Sequence, residues 1–171
     1  MQLSKYCLAR GRYEIAEEFH RVGTQWYEEH VIRTCEPEFR KQFREVLAAY
    51  KAFMPEFAVL ITTRQKILEY LNAHSEGIDR NGLKKTVGHS GVTSFGVICN
   101  QLNRGGWLRQ EKGAKNRLFP PSSPPASDKA FIKNEIPTPD DPKRRAETAR
   151  PVAKLVVRSH DKRWWEFWNR S

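Results

Sequence analysis

The stretch Leu102–Asn103–Arg104–Gly105–Gly106–Trp107–Leu108–Arg109 contains a change of period. Upstream of it, Phe95, Ile98 and Leu102 recur at steps of three and four, which puts them on one face of a helix. Two glycines then stop that helix, and Trp107–Leu108–Arg109–Gln110 reads as a strand. Glu111–Lys112–Gly113–Ala114 reads as a hairpin tip, with Asn116–Arg117–Leu118–Phe119 as the returning strand. The helix itself starts near Thr93 or Ser94. Before it, Gly88–His89–Ser90–Gly91 makes a turn, with two glycines able to take positive φ. Further upstream, Asp79 is placed to cap a short helix running through Leu83 to Val87, and Ile78 sits in a brief extended stretch. Thr63 is placed to cap a preceding helix from Arg64 to about His74, with Ile67, Leu68 and Leu71 inward, which Ser75–Glu76–Gly77 breaks.

The first third reads as two helices. Ile15, Phe19, Val22 and Trp26 fall at steps of four, three and four, an apolar face opposite Glu14, Glu17, Glu18, Arg21 and Gln25. Pro37 suits the first turn of a second helix carrying Phe39, Phe43, Val46, Leu47, Tyr50 and Phe53 inward. Pro55 is expected to end it, because proline cannot continue the backbone ladder. The short Thr34–Cys35–Glu36 connection favours an antiparallel hairpin. A lone hairpin cannot cover two aromatic-rich faces, so a homodimer through residues 13–54 is expected.

Charge is unevenly spread over the 171 residues. Residues 1–57 carry nine Lys/Arg and nine Asp/Glu, residues 58–121 ten and four, and residues 122–171 eleven and seven. The net +10 therefore lies in the middle and the tail, where a polyanion would bind, leaving the neutral third to folding or partner contacts. The longest apolar run, Phe57–Ala58–Val59–Leu60–Ile61, falls far short of a bilayer span, and residues 1–20 lack a signal peptide's apolar middle. Cys7, Cys35 and Cys99 are too few and scattered for a disulfide framework or a zinc knuckle. The expectation is an intracellular basic protein: cytoplasmic, on the nucleoid in a bacterium or in the nucleus of a eukaryote.

Helix, short strand, helix, turn, helix and two-stranded hairpin is an order that, together with the Leu102–Arg109 junction, resembles the winged helix-turn-helix superfamily over residues 62–120. The resemblance implies a third helix in the major groove of double-stranded DNA and a wing along the backbone or minor groove. By position, the outward face of that helix would be Thr93, Gly96, Val97, Asn100, Gln101 and Arg104, and the wing would offer Arg109, Lys112, Lys115 and Arg117. Asn and Gln can pair bidentately with adenine and Arg with guanine, while wing lysines neutralise phosphates. Gly96 and Val97 leave the third helix poor in base-reading groups. The alternative is a protein–protein adaptor whose winged helix never touches DNA.

Nothing in the chain points to catalysis, a cofactor or a metal. There is no phosphate-binding loop ending in Gly–Lys–Ser/Thr and no Gly-x-Ser-x-Gly elbow, and Asp140 and Asp141 sit between prolines, a poor platform for a metal. His20, His30 and His74 read as helix-face residues and His89 as a surface or capping residue. Cys99 reads as a small core residue, not a reactive thiol, and Trp107 as a core plug beneath the wing.

The expected architecture is mainly α: a helical hairpin (1–57), a winged helix with a small β-hairpin (58–120), a proline-rich disordered linker (121–151) and a basic aromatic docking peptide (152–171). Pro120, Pro121, Pro124, Pro125, Pro137, Pro139, Pro142 and Pro151 mark the linker. Lys143–Arg144–Arg145 within it reads as a solvated run. Trp164, Trp165, Phe167 and Trp168 follow a basic stretch at the chain's end and read as partner-binding residues. Their target could be the hairpin, a protein partner, an anionic membrane surface or single-stranded nucleic acid.

Overall fold

The computed structural model describes residues 2–111 and 117–136. Helices α1 (Gln2–Leu8) and α2 (Tyr13–Trp26) are followed by a π-helical segment, Tyr27–Ile32, and by α3 (Pro37–Ala73). Strand β1 (Ile78–Asp79), helices α4 (Arg80–Val87) and α5 (Phe95–Arg104), strands β2 (Arg109–Glu111) and β3 (Arg117–Phe119), and helix α6 (Asp128–Glu135) complete the order. The chain divides into two compact units, Met1–Asp128 and Lys129–Ser171. Mainly helical architecture with a small antiparallel sheet is as the sequence predicts. The three strands lie in the order β1-β3-β2, with Ile78 opposite Leu118 and Gln110 opposite Leu118 on the other side.

Pro55 does not end a helix. α3 runs unbroken through it for 37 residues. An interior proline deletes only its own N–H bond and crowds the carbonyl four residues back, a cost of about 3 kcal/mol. Pro55 lies on the exposed side of α3, where water reaches the freed carbonyl, while Leu47, Phe57 and Leu60 are buried on the other side. Burying those side chains stabilises the rod by roughly 1.5–3 kcal/mol each, enough to outweigh the proline. Thr63, expected as a helix cap, is consequently buried in the middle of α3, and the expected boundary at residue 57 falls inside a helix.

The α2 face also differs from expectation. Tyr13, Ala16, His20 and Thr24 are buried, at steps of three, four and four, whereas Val22 is 50% and Trp26 55% exposed. Polar groups can be buried here because each finds a partner. The Tyr13 hydroxyl donates to Gln101 Oε1 (3.0 Å), His20 Nε2–H donates to the Tyr50 carbonyl (2.8 Å), and Ser4 of α1 donates to the Ala16 carbonyl (2.8 Å). The wider π-helical turn then changes the angular phase, so Tyr27 and not Trp26 meets the rings of Phe43 and Tyr50, each edge-on at 6.2 Å. Burial holds the His20 imidazole below its ordinary pKa. The unfolded chain therefore binds the His20 proton more readily, and stability should fall as pH drops below about 6.5. His20→Gln should flatten a plot of melting temperature against pH between 7 and 5.

Part of the expected linker is also ordered, since residues 128–135 form α6. No proline lies between Ala126 and Ile136, and Asp128 places a negative charge in the first turn. The remainder of the expected linker from Pro137 onward, and the four aromatic residues of the terminal peptide, lie outside the described residues.

By length and composition α3 could also cross a membrane, with an 18-residue stretch of mean hydropathy 1.3. Its polar residues, however, are spent on contacts within the first unit. Arg64 donates to the Gly11 carbonyl (2.8 Å) and pairs with Glu14, and Glu56 accepts from the backbone before α5. Those are the contacts of a core helix.

Candidate nucleic-acid interface

α5 is anchored on one side by Phe95, Ile98, Cys99 and Leu102, all buried. Its start is set by Ser94, whose hydroxyl accepts from the Val97 N–H (3.4 Å), and α4 is likewise capped by Asp79. The turn between them is fastened to α3. Glu56, itself buried, accepts from the Val92 N–H (3.1 Å) and the Thr93 N–H (2.9 Å). His89 Nε2–H donates to the Thr93 carbonyl (2.6 Å), leaving Nδ1 to accept the Thr63 hydroxyl (3.1 Å). Gly88 takes the left-handed conformation (φ 65°) as a helix stop. Gly91 does not; its role is closeness, since a β-carbon there would lie 2.7 Å from Glu56 Oε1.

The solvent side of α5 carries Asn100, Asn103 and Arg104. Gln101, expected on that side, points inward at 9% exposure and accepts the Tyr13 hydroxyl. A hundred degrees from Asn100 is enough to turn it into the core. Thr93 is half-buried, and its backbone N–H and carbonyl are both used by the Glu56–His89 fastening. Asn103 Oδ1 accepts from the Gln110 N–H (3.0 Å), tying the end of α5 to β2.

Across the hairpin, Arg109 pairs with Phe119 and Glu111 with Arg117, so these four share one face of the sheet. The two guanidinium groups flank the Phe119 ring at 4.9 and 5.8 Å. Arg109 also pairs with Glu111 (3.2 Å), and Arg117 donates to the carbonyls of Glu76 and Gly77. Both arginines are exposed and held in place rather than waving from a tip. Lys112 and Lys115 lie outside the described residues.

Behind this face, Trp107 Nε1–H donates to the Arg10 carbonyl (3.0 Å), and the indole sits between the guanidinium groups of Arg12 (4.8 Å) and Arg64 (4.6 Å). It is half-buried, a plug rather than an open stacking platform. Burial pushes the Cys99 thiol up to about 12 and the Cys7 thiol up to about 11, the chemistry of inert core thiols. Among the described residues no group of three His, Cys, Asp or Glu is gathered to hold a metal.

Sequence reasoning missed two residues here. Glu56 was hidden inside an apolar pattern, with nothing local to mark its long-range partners. Arg80, at the start of α4, lies against Gly96 of α5: a β-carbon there would be 3.5 Å from Arg80 Nη1. No protein-family model matches the chain, nor does any curated protein or solved structure.

Proposed function

We propose that this is a non-catalytic double-stranded-DNA-binding protein of winged-helix type, a transcriptional regulator or a factor that holds DNA for a larger machine. The observation that carries the reading is the pairing of α5's exposed Asn100 and Arg104 with the fixed Arg109–Phe119–Arg117 ridge of the adjoining hairpin. Hydrogen-bonding side chains on a capped helix suit base edges, and arginines on a rigid hairpin suit phosphates. The +6 charge of residues 58–121 adds the sequence-independent attraction.

Titration of the full chain with random duplex at several salt concentrations tests this. With about five phosphates neutralised, log K should fall against log salt with a slope near −4.5. Replacing Lys112, Lys115 and Arg117 together by alanine should flatten that slope, and undetectable binding at low salt would leave the adaptor reading in its place.

Exposed Val22 and Trp26 favour a protein contact through α2, which we assign to a second copy of this chain. The acids around them are largely neutralised within the chain, Glu18 by Arg21, Glu28 by Lys51 and Glu14 by Arg64, so two such faces can meet with little repulsion. A two-fold pair would present two α5 helices to half-sites one DNA turn apart. Light scattering should give a dimer at tens of micromolar, and Val22→Glu with Trp26→Glu should give a monomer with an unchanged helical spectrum. A monomeric wild-type chain would remove this assembly.

A further inference from the structure

Three arginines of the first unit lie wholly or partly out of water, and they are treated differently. Arg12 donates to Asp128 (2.7 Å) and to the Ala126 carbonyl (2.6 Å), and Arg64 to the Gly11 carbonyl and Glu14. Arg80 is half-buried, yet its Nε is buried without a hydrogen-bond partner, and no carboxylate among the described residues pairs with it. A guanidinium carries five N–H donors in a rigid fork, and holding it out of water with no acceptor is unfavourable. Its position gives the reason. Arg80 lies beside the one place on the outward α5 face, Gly96, where the helix offers no side chain of its own.

We propose that Arg80 takes the place of the missing α5 side chain at Gly96 and that its guanidinium receives an acceptor pair from bound DNA. Two sources supply that chemistry, the oxygens of one phosphate and the O6/N7 edge of a guanine, and both match the arginine fork. The inference rests on the DNA reading above. It explains the glycine: a longer side chain at position 96 would displace the guanidinium, whereas a single methyl group fits at ordinary contact distance.

The test uses the full chain, with Kd and active fraction measured by titration on duplex DNA at several salt concentrations. Arg80→Ala should weaken binding about tenfold while the active fraction and melting temperature hold, because the fold gains no partner from this side chain. If a phosphate is the acceptor, the salt slope of Arg80→Ala should be shallower by about 0.9 and Arg80→Lys should restore it. If guanine is the acceptor, the slope should stay and the loss should be confined to duplexes with guanine at one position, without rescue by lysine. Gly96→Ala should bind as wild type, and Gly96→Leu should reproduce Arg80→Ala. Wild-type binding that Arg80→Ala leaves unchanged would overturn the proposal and spare the DNA reading. A wild-type chain that binds no duplex at low salt would overturn both.

Discussion

Replacing Gly105 by alanine should lower the melting temperature by roughly 10 °C, a loss of about 3 kcal/mol for a unit of this size. The backbone at Gly105 is ordinary, with φ −83°, so the effect comes from space alone. An added β-carbon would run into the carbonyl oxygen of Arg10 and come within 2.7 Å of Trp107 Cδ1. Neither can step aside. That carbonyl accepts the indole N–H, and the indole is wedged between Arg12 and Arg64. Gly106 is the control. Its φ of 73° tolerates asparagine, and nothing lies within 4 Å of a β-carbon there, so Gly106→Asn should cost far less. Circular dichroism melts of the two variants make the comparison. Equal melting temperatures would contradict the close approach of the α1–α2 turn to the end of α5.

Glu56→Ala should have an effect of similar size through a different cause. The carboxylate accepts from two backbone N–H groups of the turn before α5, and a hydrogen bond to a charged group contributes about 1.5–3 kcal/mol. With both lost, amide exchange at Val92 and Thr93 should accelerate by about two orders of magnitude, reporting local opening of the turn. Glu56→Gln keeps one acceptor oxygen and should fall between. Duplex binding should weaken while the active fraction holds, since the α5 N-terminus loses its fastening but the helix keeps its apolar anchors. Unchanged exchange at both amides would show that the turn is held by His89 alone.

Much of the second half of the first unit could be read in the sequence because its signals are local. Asp79 and Ser94 cap the helices they precede, the glycine pairs stop them, and the Phe95–Ile98–Leu102 spacing names the buried face. The first half was harder because its outcome is decided by contacts between segments distant in sequence. His20 and Thr24 look like solvent-facing residues until Tyr50 and the helix's own carbonyls satisfy them. Pro55 looks like a stop until the burial of Phe57 and Leu60 is set against it. At the interface the same divide holds. Asn100 and Arg104 followed from helical spacing, whereas Gln101 needed Tyr13, and Arg80 needed the crossing of α4 over α5, neither of which periodicity reveals.

The unbroken run of α3 through Pro55 has a consequence for how this sequence can change length. Each residue of a helix carries about 100° of rotation and 1.5 Å of rise. One such helix holds Tyr50 against His20 at one level and Arg64 against Glu14 at another, with Glu56 on the α5 turn between them. A single inserted residue between Tyr50 and Glu56 would therefore swing one set of partners about 100° from the other, as surely as a slipped tooth on a gear shaft. Loops forgive insertions; this segment tolerates only increments near seven residues, which restore the angle while lengthening the shaft by about 10 Å.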